Sequence, residues 1–146
     1  MNAMMLVVGI AGRRAGIPAL SVNSVIDLVS ITPVPQTAPH IAGLAALRSR
    51  PLTVIDCRAA LGLEPEADPA AGRRAVVVEH EGHLYGLLVD AADDIVAARG
   101  EPGPMGADPG PGWREAASGK IETETGALLL LDLAALIAGT DRAAAA

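Results

Sequence analysis

The chain has 146 residues, 51% of them hydrophobic, with 11 basic and 17 acidic side chains, one Cys, one Trp, one Tyr and no Phe. That is enough for one domain, or for two small subdomains sharing a core of aliphatic and alanine side chains. A single cysteine excludes a disulfide framework. A net charge of −6, split as +3 over residues 1–60 and −9 over residues 61–146, argues against the basic, aromatic-studded face of a nucleic-acid binder and suits protein partners.

In chain order, Met5–Ile10 is a β-branched-rich run that ends at the turn signal Ala11-Gly12-Arg13. Ala15–Leu20 follows, which predicts a hairpin. No basic segment precedes the apolar start, and Arg13-Arg14 come after it, so it reads as a first strand and not as a targeting signal. Val22–Val29 alternates loosely, as a half-buried strand does. Thr32-Pro33-Val34-Pro35 cannot sustain a ladder and reads as an extended edge or loop. His40–Leu47 has helical or turn-like spacing. Leu52–Cys57 is a strand, followed by a short helical turn stopped by Gly62.

Glu64–Gly72 carries Pro65, Pro69 and Gly72 among acids and reads as a connector. Arg74–Glu79, the turn Glu81-Gly82 and His83–Asp90 predict a second hairpin, and Ala91–Ala98 a further strand. Gly100–Gly112 is crowded with Gly and Pro and predicts an irregular, mobile loop. Ile121–Thr123 and Ala127–Leu133, around Gly126, predict the last hairpin. A helical turn over Leu133–Ala138 and a frayed tail over 139–146 complete the chain. The apolar run Ala127–Ala138 is broken by Asp132 and is too short to span a bilayer. Short strands punctuated by Gly and Pro predict an all-β sandwich or barrel.

The elements repeat. Leu6-Val7-Val8, Gly12, Gly16-Ile17 and Val25-Ile26 recur about 70 residues on as Val76-Val77-Val78, Gly82, Gly86-Leu87 and Ile95-Val96. Val54-Ile55-Asp56 recurs about 76 residues on as Leu130-Leu131-Asp132. Two copies predict two similar packed units, and nothing chemically reactive recurs with them.

The ordered set Gly16-Ile17, Val25-Ile26, Ile31-Thr32-Pro33-Val34-Pro35, Pro39, Gly43, Leu47-Arg48 and Val54-Ile55-Asp56 resembles the CheW-like family of chemotaxis coupling proteins. So does the second set: Ala75–Glu79, Gly82, Gly86–Asp90, Ile95 and Leu129–Leu133. The resemblance spans about residues 4–138. It implies two five-stranded SH3-like β-barrel subdomains around a shared hydrophobic core, approximately 12–72 and 73–138, leaving open an exchange of the first strands. It also implies a non-catalytic adaptor that couples transmembrane chemoreceptors to a chemotaxis histidine kinase. Its partners would be the kinase regulatory domain and the receptor's cytoplasmic tip, with no nucleic acid, membrane insertion, small-molecule substrate or cofactor. The expected location is cytoplasmic, at the inner face of the membrane through receptor arrays. The alternatives are a divergent module of a non-flagellar chemosensory pathway and a small metal-binding or enzymatic domain.

Two departures stand out. The family commonly shows Asn-Leu-Arg-Gly where this chain has Ala46-Leu47-Arg48-Ser49, and the lost glycine implies a reshaped turn. Thr53 stands where a proline usually precedes Val-Ile-Asp, with Pro51 two positions earlier.

By match to the family, Val22, Ser24, Val25, Gly43, Leu47 and Arg48 would contact partners, together with Val89 and Asp90 of the second copy. Val22 reads equally as outer-face or core. Arg48, a rigid fork of donors, would pair a partner carboxylate or bond carbonyls between the subdomains. Asp56 and Asp132 occupy matching places and read as repeated helix caps more readily than as an acid–base pair. His80-Glu81-Gly82-His83 reads as an exposed turn, since zinc needs three or four ligands. Cys57 has no base beside it in sequence and reads as a buried inert thiol.

Overall fold

Three hairpins turn through pairs of left-handed residues: Ala11-Gly12 (φ 52° and 83°), Arg48-Ser49 (49° and 69°) and Glu81-Gly82 (51° and 82°). Two-residue turns with positive φ match the right-handed twist of the strands that they join. The computed structural model describes residues 3–64 and 73–139. Ten strands result: β1 (Met4–Ile10), β2 (Arg13–Pro18), β3 (Val22–Leu28), β4 (Ile41–Leu47), β5 (Arg50–Asp56), β6 (Arg73–His80), β7 (His83–Val89), β8 (Ala91–Ala97), β9 (Ala117–Thr123) and β10 (Gly126–Leu131). Three short helices accompany them: α1 (Cys57–Ala60), α2 (Pro111–Ala116) and α3 (Leu133–Ala138). Most of the connector predicted over Glu64–Gly72, and the tail beyond Gly139, lie outside the described residues.

The strands form two five-stranded sheets, in the orders β8-β1-β2-β10-β9 and β3-β6-β7-β5-β4. Shifting each label by five converts one order into the other, so the copies seen in the sequence are copies in space. The two hairpins β1-β2 and β6-β7 have changed places: each pairs with the last three strands of the other copy. The sheets therefore divide the chain differently from a cut near residue 72. One holds 4–18 with 91–131, and the other holds 22–89.

Three apolar clusters follow. Leu52, Val54, Val77, Leu84 and Leu88 fill the β3–β7 barrel. Met5, Val96, Ala98, Ile121 and Leu128 fill the other. The largest cluster lies between them and includes Leu6, Val8, Ile17, Ile55, Val76, Val78, Leu87, Trp113 and Leu136. Strand alternation builds this: one face of β1 and β6 points into its own barrel and the other into the shared core. Burial of a leucine here stabilises by roughly 2 kcal/mol.

Two expectations are corrected. His40–Leu47 is not helical: Ile41–Leu47 is β4, paired with β5. Ile41, Leu44 and Leu47 imitate helical spacing because a bulge between Ile41 and Gly43 breaks the two-residue period. Gly100–Gly112 is irregular but anchored. Gly103 bridges Lys120, and Asp108 accepts from the Gly110 N–H and the Arg114 guanidinium. Pro111 starts α2 from that loop, a first-turn position that needs no N–H.

Candidate partner-binding surfaces

The shared core reaches solvent at the two repeat-related end strands β3 and β8, one in each sheet. Val25 pairs with Val76, and Ile95 pairs with Leu6. Val76 and Leu6 are both shared-core residues, and residues paired across strands point to the same face. Val25 and Ile95 therefore continue that core outward, and they are 36% and 59% exposed. They are also the repeat-related pair noted in the sequence. Met4 on β1 is exposed nearby, at the end of the strand that carries Leu6. Leu20, on the single 3-10 turn Ala19–Ser21 between β2 and β3, stands wholly in solvent. Val22 is half-buried against the shared core. Ser24 is half-buried and its hydroxyl donates to the neighbouring Asn23 side chain. Exposed apolar groups at the rim of a core mark interaction surfaces.

A second surface opens where the barrel of β3–β7 fails to close. In the other barrel, Ala98 bridges Thr123 and Arg99 N–H donates to Glu122 O at 2.7 Å, which joins β8 to β9. The matching strands β3 and β4 are the unpaired ends of their sheet. They flank a groove of about 710 Å³ lined by Ile26 to Ser30, Thr32 and Leu44 to Leu47. Val29 (87% exposed) and Leu44 (43%) stand at its lips. Leu47 lines it, and Arg48 sits at the adjoining hairpin tip.

Arg48 is exposed and makes no hydrogen bond or ion pair among the described residues. Among the described residues it therefore bonds no carbonyl between the subdomains. The expected reshaping of its turn is also corrected: Ser49 takes the left-handed conformation that a glycine would take. Gly43 is buried, with φ 152°, and a Cβ there would overlap the carbonyl of Thr32. Thr32 and Leu44 exchange two 2.8 Å backbone hydrogen bonds at that point, so the close approach beside the groove requires a glycine at position 43.

Val89 and Asp90 do not form a surface patch either. Val89 is in the shared core. Asp90 is the residue at which the chain crosses from one sheet to the other, and its carboxylate is occupied. Oδ2 accepts from Ala11 N at 2.8 Å and from Arg58 at 2.9 Å, and Oδ1 accepts from Arg73 at 2.9 Å. Partial burial raises its pKa, but the Ala11 N–H and the two guanidinium groups outweigh that and hold it below the ordinary carboxylate value.

The remaining candidates have structural work. Asp56 and Asp132 cap α1 and α3 through Ala59 N and Ala135 N, both at 3.2 Å. Cys57 is fully buried, and burial, then the charges of Asp56 and Asp90, push its thiol pKa far up, so no thiolate forms. His80 and His83 sit at the β6-β7 turn, with His83 exposed. Among the described residues, no three His, Cys, Asp or Glu side chains gather as a metal site, and no helix is long and apolar enough to cross a membrane.

The two candidate surfaces draw on residues that sequence reasoning passed over: Met4, Leu20, Val29, Leu44 and, as a surface residue, Ile95. The repeat offset pairs Val25 with Ile95 and was the available signal for the last of these.

Residues 4–141 match the family model described as CheW-like domain. A probable chemotaxis protein CheW from Rhizobium etli is 32% identical over 86% of this chain and 81% of its own length. The chemotaxis protein CheW of Bacillus subtilis is 30% identical over 63% of this chain and 58% of its own length. Among solved structures, the scaffolding protein TtCheW from Thermoanaerobacter tengcongensis superposes with a TM-score of 0.75 at 25% identity, covering 91% of this chain and 86% of that one. The match over nearly the whole chain, together with the doubled barrel, places this protein in the CheW-like family.

Proposed function

We propose that this protein is a non-catalytic adaptor that couples chemoreceptors to a histidine kinase in chemotaxis. The observation that carries this reading is the repeat-related apolar pair Val25 and Ile95, exposed where the shared core meets solvent. A helical coiled-coil tip from a receptor presents apolar side chains at helical spacing, and such a helix fits an apolar edge of this kind. Val22, Val25, Ile95, Met4 and Leu20 form its seat.

The kinase's regulatory domain takes the groove between β3 and β4. An unclosed barrel seam with Val29 and Leu44 at its lips accepts another barrel by packing and strand-edge contact. Two different faces on one small body make heterologous contacts, which build rings and not closed dimers. A receptor rearrangement felt at one face then alters the geometry of the kinase held at the other. The work is done in the cytoplasm beneath the receptor-bearing membrane.

Arg48→Ala tests the groove. Its side chain bonds nothing within the chain, so the variant keeps the wild-type melting temperature and binds the kinase regulatory domain more weakly. A variant that loses its cooperative thermal transition would make Arg48 structural and remove it from this interface.

A further inference from the structure

The two barrels are copies, so each is an internal control for the other. They differ sharply at the one parallel ladder in each. In the barrel of β3–β7, β5 and β7 pair from Leu52–Leu84 through Asp56–Leu88. In the other, the matching strands β10 and β2 pair only at Leu129–Ala15 and Leu130–Gly16. The rung that would match Leu52–Leu84 is Leu128–Arg14, and it is not made. The strands part there and leave a cleft of about 350 Å³ lined by Gly12, Arg13, Arg14, Lys120, Ala127, Leu128 and Leu129.

Every charged residue lining this cleft is a cation. The matching positions in the other barrel are His83, Leu84 and Leu44, so the charge was not inherited from a common structural need. Two of the cations, Arg13 and Arg14, are also held by neutral groups. Arg13 lies 5.6 Å over the ring of Trp113 and makes no hydrogen bond or ion pair among the described residues. Arg14 donates to the carbonyl and hydroxyl of Thr125 at 3.1 and 3.0 Å. Lys120 has Glu122 at 3.9 Å, and both are well exposed. A ring face and a carbonyl fix a guanidinium without cancelling its charge. In a chain with 17 acids against 11 bases, three cations line one cleft, and of these only Lys120 has a carboxylate within ion-pair distance among the described residues.

We propose that this cleft binds an extended acidic segment of a partner protein, separate from both adaptor surfaces. Its carboxylates meet Arg13, Arg14 and Lys120. Its backbone meets the strand edges left open by the shortened ladder, and its apolar side chains lie on Ala127 and Leu129. The open edges and the apolar floor favour an extended peptide over a small anion, which would use the charges alone.

Trp113 is the only tryptophan and lies in the shared core beneath Arg13, so its fluorescence reports on the Arg13 side chain. The full-length protein is titrated with a short capped peptide of alternating Glu and Val, with the same peptide carrying Gln for Glu, and with inorganic phosphate. A saturable change with the Glu peptide alone is expected, weakening about tenfold between about 20 and about 200 mM salt. Lys120→Glu, at a half-exposed position beside Glu122, weakens binding about tenfold while the melting temperature holds. Four results each overturn the proposal: no saturable response in folded protein, equal binding of the Gln peptide, full displacement of the peptide by millimolar phosphate, or a response that sedimentation traces to self-association.

Discussion

Asp90 accepts hydrogen bonds from Arg58 on one sheet's flank and from Ala11 N–H on the other's first turn, both at its Oδ2, at 2.9 and 2.8 Å. One carboxylate thus ties the two barrels together at the residue where the chain passes between them. Its pKa lies below the ordinary value, so its stabilisation is complete above the unfolded-state pKa of about 4 and is lost as pH falls through the folded value. Asp90→Asn should cost about 1–3 kcal/mol at neutral pH. Thermal melts from pH 7 to pH 3 should show a flatter acid dependence in the variant than in the wild type. Parallel curves would mean that the carboxylate charge contributes nothing.

The caps at Asp56 and Asp132 do the same job twice. Asp132→Ala removes one side-chain acceptor at the start of α3 and should cost about 1 kcal/mol, or a melting point lower by about 3 °C. Asp132→Asn, which keeps an acceptor, should recover most of that. Asp56 is buried, so Asp56→Ala should cost more than Asp132→Ala.

Ser49 holds a left-handed conformation that glycine adopts freely. Ser49→Gly should relieve strain at the β4-β5 turn and stabilise the protein by roughly 0.5–1 kcal/mol, measured as a denaturation midpoint shifted upward with an unchanged slope. A lower midpoint would mean that the serine conformation is unstrained.

Cys57 should resist a thiol-reactive probe in the native protein, since it is buried and its thiol stays protonated. Modification should follow unfolding, and its rate should rise with denaturant. Fast labelling of folded protein would contradict the packing around α1.

Much of this fold was legible in the sequence because the signals were local. Gly12 and Gly82 announced two hairpins, and Asp56 and Asp132 announced the helical turns behind them. The all-β doubled barrel followed from the repeat and the family resemblance. β4 was misread because a bulge at Gly43 disguised its period. α2 was overlooked because Gly and Pro surround it, although Gly110-Pro111 is itself a helix-start signal. Pairing of the β1-β2 hairpin with the last three strands joins residues far apart in the chain, and no local pattern encodes it. Val89 and Gly43 fell inside the protein for the same reason: matching a family position says nothing about which way a residue points. Exposed edges such as Leu20 and Val29 became visible only once the core had been assembled around them.

In the proposed adaptor, receptor and kinase occupy two separable faces. The most direct test measures the affinity of three proteins, wild type, Val25→Asp and Val29→Asp, for a receptor cytoplasmic fragment and for the kinase regulatory domain from the same genome. Both substitutions are at exposed sites, so all three should keep near-native melting temperatures. Val25→Asp should lose the receptor fragment and keep the kinase domain, and Val29→Asp should do the reverse. Loss of both partners by either variant, or of neither by both, would contradict the assignment of two faces.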